Sequence, residues 1–270
     1  MLKKLLFFFL FILIIYMWMV SCSARESESE EDAAKNKQTE QTTKDTNELE
    51  KVFLEQSNDA GQEYIDSFIF LGESTTYHLK NRGVLSDGAD TKQVWGPKSG
   101  TLMLDQSTSE CMIVYPETDE EIELCEALKL KQPKYLLLTF GLNGASKSIS
   151  KGESYFKGCY KKLTDTVKKA SPNTQIILQS CFPVAKNMDT DGYSIDYSQL
   201  NVYIDQLNLW ASEFANENGY GYLNTSEILK NENGALRDEY QVGDGYHLTR
   251  EAYEQILHYI RTHAVSEVTK

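Results

Sequence analysis

The chain has little positive charge, few histidines and no paired-cysteine motif, and each shortage removes a class of function. Its 27 Lys and Arg stand against 40 Asp and Glu, a formal net charge of −13 at pH 7. Such a surface repels phosphates, which argues against nucleic acid as a partner and against electrostatic docking on anionic lipid. With four histidines, five cysteines and no CxxC spacing, neither a metal site nor any other cofactor is expected. Cys125 and Cys159 fall at apolar positions of predicted helices and Cys181 in a predicted strand, so these three and Cys111 are expected as buried free thiols rather than disulfides. Residues 25–51 contain no aromatic residue, Gly or Pro and almost nothing apolar, and cannot bury a core.

What is present divides the chain in three. Lys3 and Lys4 precede an uncharged run over residues 5–20, followed by Ser21 and Cys22. This pattern reads as a secretion signal, and it resembles the bacterial lipoprotein signal, in which the cysteine is diacylated and becomes the new N-terminus. That resemblance implies lipidation at Cys22, with Met19 at the usual leucine position as a departure. The alternative is an uncleaved helix, although a run of 16 residues is short against the roughly 20 needed to span a bilayer. Both readings put the remainder on the extracellular face of the bacterial cytoplasmic membrane. The expected organisation is a signal peptide over 1–22, a disordered acidic and polar tether over 23–51, and one catalytic domain over 52–270, with the membrane touched only through the anchor and the domain monomeric.

From residue 52, short apolar runs alternate with segments of helical period. Residues 67–71 (SFIFL), 111–115 (CMIVY), 135–140 (YLLLTF) and 175–180 (QIILQS) read as strands, with a weaker one over 220–223. Thr118 and Glu121 have the spacing of a capping box and predict a helix carrying Ile122, Cys125 and Leu128 on one face. Phe156, Tyr160, Leu163 and Val167 form a second helical stripe. Leu200, Tyr203, Leu207, Trp210 and Phe214 form a third, ended by Gly219, and residues 250–262 predict a final helix. Continuous apolar strands separated by helices imply a three-layer α/β/α sandwich around a mostly parallel, flavodoxin-like sheet. Ligands in such folds bind beyond the carboxyl ends of strands, which directs attention to residues 72–76, 141–144, 180–184 and the loop before His247.

Ser74 sits where the first strand opens into a helix, so its hydroxyl can lie exposed among backbone amides able to stabilise an oxyanion. Such a serine is also a common helix cap. Asp244 and His247 stand three apart before the last helix, close enough for the carboxylate to fix one imidazole tautomer and leave the other nitrogen as a base. Taken together, Gly72-Glu73-Ser74, Gly141-Leu142-Asn143-Gly144 and Asp244-Gly245-Tyr246-His247 resemble the blocks of the SGNH (GDSL-type) hydrolase family: Gly-Asp-Ser after strand one, Gly-x-Asn-Asp, and Asp-x-x-His before the C-terminal helix. The resemblance covers about residues 64–264. It implies Ser74 as nucleophile, His247 as base, Asp244 as its orienting partner, and an oxyanion hole from the Ser74 amide, the Asn143 side chain and a glycine, Gly100 in preference to Gly96.

Glu73 and Gly144 depart from the family's two aspartates, so the loops around the site must be arranged differently. His78, four residues after Ser74, reads as a surface residue, with an approach to the site from the first helix as the alternative; His258 and His263 read as solvated, and Trp95, Tyr77 and Tyr246 flank the site, by default as core packing or turn support and otherwise as sugar-stacking aromatics. The expected activity is an extracytoplasmic esterase that removes an acyl group, acetyl foremost, from a glycan or small alcohol ester. Two alternatives stay open: an O-acyltransferase with the same triad, and a non-catalytic glycan-binding protein.

Overall fold

Strands without a polar interruption cannot offer a face to water, so they must lie between two layers. A computed structural model describes residues 53–107, 110–189 and 195–265; the expected signal at 1–22 with Cys22 and the tether at 23–51 lie outside the described residues. A short helix, Gly61–Asp66 (α1), leads into Phe68–Gly72 (β1), buried throughout, and Ser74–Asn81 (α2) comes at once. Val94–Trp95 (β2) is a two-residue strand. Met112–Tyr115 (β3) and Glu120–Glu123 (β4) come next, then Leu124–Lys131 (α3) and Tyr135–Thr139 (β5). Ala145–Lys151 (α4) and Glu153–Ala170 (α5) precede Gln175–Gln179 (β6), and Tyr197–Asn218 (α6) precedes Gly221–Leu223 (β7). Ser226–Leu229 (α7) and Arg250–Arg261 (α8) complete the series.

The main sheet runs β2-β1-β5-β6-β7 with every pair parallel. Numbered within the sheet this is 2-1-3-4-5, the flavodoxin-like order, and its switch point lies between β1 and β5. Alternate residues point to opposite faces. Ile69, Leu71, Leu136 and Leu138 meet α3, α5 and α6 through Leu128, Leu163 and Phe214. Phe68, Phe70, Tyr135 and Leu137 meet α2 and α8 through Leu79, Tyr253, Ile256 and Ile260. Burying each large side chain of α8 stabilises the fold by about 1.5–3 kcal/mol. The helix ends obey local chemistry. Asp196 caps α6 by accepting from the amides of Ser198 and Gln199, Gly219 ends it at φ +67, and Thr249 caps α8 through the Ala252 amide.

Three expectations need correction. Residues 111–115 do not enter the main sheet: β3 pairs antiparallel with β4 in a separate hairpin, with Met112 exposed. Thr118 and Glu121 do not open a helix either. The amides of Thr118 and Asp119 both donate to the Tyr115 carbonyl, Asp119 turns at φ +59, and the chain returns as β4 before α3 begins at Leu124. The capping-box spacing is thus satisfied by a hairpin turn, in which the Glu120 amide donates to Thr118 Oγ1 at 3.4 Å. The sheet's second strand is instead β2, and its Trp95 takes the packing role, 2% exposed and edge-on to Tyr115, not a sugar-stacking one. Cys159 and Cys181 are buried, whereas Cys111 and Cys125 are only half-buried.

Candidate active site

The carboxyl ends of β1 and β5 lie side by side at the switch point, so the segments leaving these two strands share one crevice. Gly72 closes β1 opposite Thr139 of β5. A Cβ on Gly72 would collide with Thr76 Oγ1 and the Thr139 carbonyl oxygen, so only glycine lets the chain turn there. Ser74 is then the first residue of α2, and its amide is among those that have no intrahelical acceptor. That N–H donates to Thr101 Oγ1 at 3.2 Å.

His247 reaches the same place from a loop 173 residues away, with its Nε2 3.0 Å from Ser74 Oγ. Asp244 Oδ1 accepts from the amides of Tyr246 (3.1 Å) and His247 (2.9 Å), while Oδ2 lies 2.7 Å from His247 Nδ1. Burial raises the Asp244 carboxyl, but these two amides and the imidazole outweigh it and hold the group below its ordinary 3.8. An ionised carboxylate only accepts, so Nδ1 carries the proton and Nε2 is left to accept from the Ser74 hydroxyl.

The loop's shape is enforced from outside. Gln241 Oε1 accepts from the amides of Gly243 and Gly245, and the Gly245 carbonyl accepts from Ala185. Gly245 stands at φ +84 with room for no Cβ, which would lie 2.5 Å from Met188 Cα and 2.6 Å from its nitrogen. Arg82, just past α2, donates to the Leu248 carbonyl at 3.0 Å, so the helix bearing Ser74 also anchors the loop bearing His247.

Glu73, 2% exposed, explains how the site accommodates its departure from the family pattern. Its carboxylate accepts from the amides of Gly141 (3.0 Å), Leu142 (3.1 Å) and Asn143 (3.1 Å), which shapes the loop after β5 from the end of β1. Burial pushes this carboxyl from 4.5 up to about 7, against the pull of the three amides. Gly141 turns at φ +148 beside Cys181, and the loop aims Asn143 Nδ2 at Thr101 Oγ1, 3.0 Å away. Two N–H donors, from Ser74 and Asn143, therefore converge on one oxygen.

Two sequence expectations change here. Gly100 donates its N–H to the Pro97 carbonyl at 2.9 Å, closing a turn, and does not offer it to the point where the other donors converge. His78 takes the alternative placement, approaching the site from the first helix: half-buried, it lies one turn along α2 from Ser74 and stacks on His247, centroids 4.2 Å apart and planes 12° apart. Burial, then the neighbouring His247 and Arg82, push it from 6.5 down to about 4, so the stacked ring is neutral at ordinary pH. Tyr246 lies tilted against the ring of His247 at 4.1 Å, and Tyr77 packs beneath Gly100. His258 and His263 stay remote, near Asp59 and Tyr259. Sequence reasoning missed Thr101 and Gln241 as parts of the site; each acts through a hydrogen bond whose partner only the folded chain reveals. Among the described residues no His, Cys, Asp and Glu cluster is disposed to hold a metal ion.

A hydroxyl, an imidazole and a carboxylate in series, beside two converging N–H donors, can activate an oxygen nucleophile and stabilise an oxyanion. The family model described as GDSL-like lipase/acylhydrolase matches residues 107–255, a span that holds Asn143, Asp244 and His247 and begins after Ser74. No curated protein matches the chain. Among solved structures, a GDSL-like lipase from Bacteroides thetaiotaomicron is 19% identical, with 72% of this chain and 85% of that one covered and a TM-score of 0.45. An extracellular lipase from Streptomyces rimosus is 11% identical, with coverages of 73% and 99% and a TM-score of 0.48. A phospholipase A1 from Streptomyces albidoflavus is 15% identical, with coverages of 73% and 98% and a TM-score of 0.41.

Proposed function

The chain belongs to the GDSL-like lipase/acylhydrolase family, and on that premise we propose that it is an extracytoplasmic esterase releasing an acyl group, acetyl foremost, from a glycan or small alcohol. That it is a serine ester hydrolase is a consequence of the family. The substrate and the location are our reading.

The observation that carries the assignment of roles is the unbroken series Ser74 Oγ, His247 Nε2, His247 Nδ1 and Asp244 Oδ2, with contacts of 3.0 and 2.7 Å. Ser74 Oγ attacks the ester carbonyl while His247 Nε2 takes its proton, and Asp244 steadies the imidazolium that results. The carbonyl oxygen, becoming anionic, accepts from the Ser74 amide and Asn143 Nδ2. His247 then protonates the departing alcohol, and water, deprotonated by the same nitrogen, frees Ser74 from the acyl group. A net charge of −13 favours a neutral ester over a polyanion. Half-buried Tyr246 beside His247 supplies a face on which a sugar ring can stack. The N-terminal pattern ending in Cys22 supports a lipid-anchored location outside the cytoplasm.

The test compares wild type, Ser74→Ala and His247→Ala on p-nitrophenyl acetate, with circular dichroism as the folding control. Both variants are expected to keep the fold and lose turnover. Equal rates in all three would remove Ser74 and His247 from the mechanism. Acyl transfer to an added glycan in preference to water would replace esterase by O-acyltransferase.

A further inference from the structure

The point on which the Ser74 and Asn143 donors converge is filled by the chain itself. Thr101 Oγ1 lies 3.2 Å from the Ser74 nitrogen and 3.0 Å from Asn143 Nδ2. Those are close to the separations that an ester's carbonyl oxygen must adopt as it becomes an oxyanion, about 2.7–3.1 Å from its donors. A hydroxyl oxygen has two lone pairs, and here both are engaged by these N–H groups. Its own hydrogen therefore points elsewhere, and Thr101 acts toward the hole purely as an acceptor, as a substrate oxygen would. Two oxygens cannot share one position, so a carbonyl oxygen enters only after Thr101 Oγ1 has left.

We propose that Thr101 is a self-ligand of the oxyanion hole, whose hydroxyl each ester must displace before Ser74 can attack; this rests on the esterase roles of Ser74 and Asn143. The segment around it favours such an exchange. Pro97 and Gly100 close a tight turn through the Gly100 N–H, and Gly100 takes φ +75 over the Tyr77 ring, so the backbone before Thr101 is held and an exchange falls to the side chain. Of the two other staggered rotamers, one puts the Cγ2 methyl where Oγ1 stood, and the other leaves only the Cβ hydrogen there; it is this second rotation that takes Oγ1 off both donors without moving either. In the resting protein the hydroxyl keeps the two N–H groups paired and aimed. In the transition state it cannot compete, because bonds to a charged oxygen are roughly twice as strong as those to a neutral one. The cost of parting Thr101 Oγ1 from its two donors is therefore carried by every ester alike, and it lowers kcat/KM relative to an open hole.

The quantity to measure is kcat/KM, which counts from the free enzyme and so includes the displacement whichever complex forms first. Full-length Thr101→Ala, lacking the competing oxygen, should raise kcat/KM on p-nitrophenyl acetate and the rate of fluorophosphonate labelling by roughly tenfold, the size of one to two net hydrogen bonds. Thr101→Ser keeps the acceptor and should gain clearly less. A Thr101→Ala variant that is folded but no faster than an active wild type overturns the inference and leaves the esterase reading intact. Equal gains in Ala and Ser overturn it too, since the lost methyl would then be responsible. Should Thr101→Ala fail to fold, a Thr101→Ser variant several-fold faster than wild type counts against the inference, and one within about threefold of it counts in favour. Folded wild type and Thr101→Ala that both neither label nor turn over would sink the catalytic reading and this inference together; an inert wild type with an active Thr101→Ala would support both.

Discussion

Glu73→Ala should strongly destabilise the protein, through a loop to which Glu73 is joined by hydrogen bonds. The carboxylate is 2% exposed and accepts the amides of Gly141, Leu142 and Asn143. Truncation leaves the amides of Gly141 and Leu142 buried without an acceptor, while that of Asn143 is near enough to the surface for water to reach. At about 1–3 kcal/mol for each stranded buried group, the loss is about 2–6 kcal/mol, a large part of the roughly 5–15 kcal/mol available to a domain. Glu73→Gln is milder. Its oxygen can keep the pair of bonds made by Oε1, to Gly141 and Asn143, but its NH2 meets the Leu142 N–H donor to donor, at a cost of about 1–3 kcal/mol.

The same residue makes a prediction in pH. The folded carboxyl keeps its proton up to about 7, whereas the unfolded chain releases it near 4.5. Wild-type stability from this group is fully present below 4.5 and is lost as pH rises through about 7. Glu73→Gln has nothing to titrate, so its deficit should be largest in acid and shrink toward neutrality. Urea denaturation of wild type, Ala and Gln variants from about pH 4 to 8 measures both effects. A Glu73→Ala variant within about 1 kcal/mol of wild type, or a Gln deficit that grows with pH, would refute the reasoning.

Asn143→Ala removes one of two converging donors and should lower kcat by roughly 10²–10³-fold with an unchanged thermal melt, as steady-state kinetics will show. Gly245→Ala forces a Cβ against the Met188 backbone at φ +84; a destabilisation of about 2–5 kcal/mol by denaturant titration is expected, together with lost activity as His247 shifts. His78→Phe should preserve the stack on His247 and retain more kcat than His78→Ala. Because His78 is held near 4 in the fold against 6.5 when free, its contribution to stability is present above 6.5 and lost as pH falls toward 4. His78→Phe should lack that acid slope in urea melts.

Much of this protein was legible before any coordinates. The runs SFIFL, YLLLTF and QIILQS became β1, β5 and β6 because an unbroken apolar strand has only the middle of a sandwich to occupy. The helical stripe ending at Gly219 became α6 because its cap, period and stop all agree. Asp244 and His247 could be placed together because one turn separates them, and Ser74 stood out between strand and helix, but each alone suited a helix cap as well; it was the three blocks in order that marked them as a set.

Other features rest on distance. Val94–Trp95 is a strand because β1 offers it an edge, not because two residues carry any pattern. Thr118 and Glu121 show the converse: a spacing that suits a helix cap was satisfied by a hairpin, because Glu120–Glu123 found β3 to pair with. Glu73 reaches amides 68 to 70 residues away, His78 finds a ring across the crevice, and Thr101 finds two donors from separate strand ends. Period, capping and burial are properties of neighbouring residues, and the sequence by itself determined the layers and the candidate residues. Which donor meets which acceptor is settled by whatever else is near once the chain has closed, and only the tertiary structure decided what holds the site in shape and what occupies it at rest.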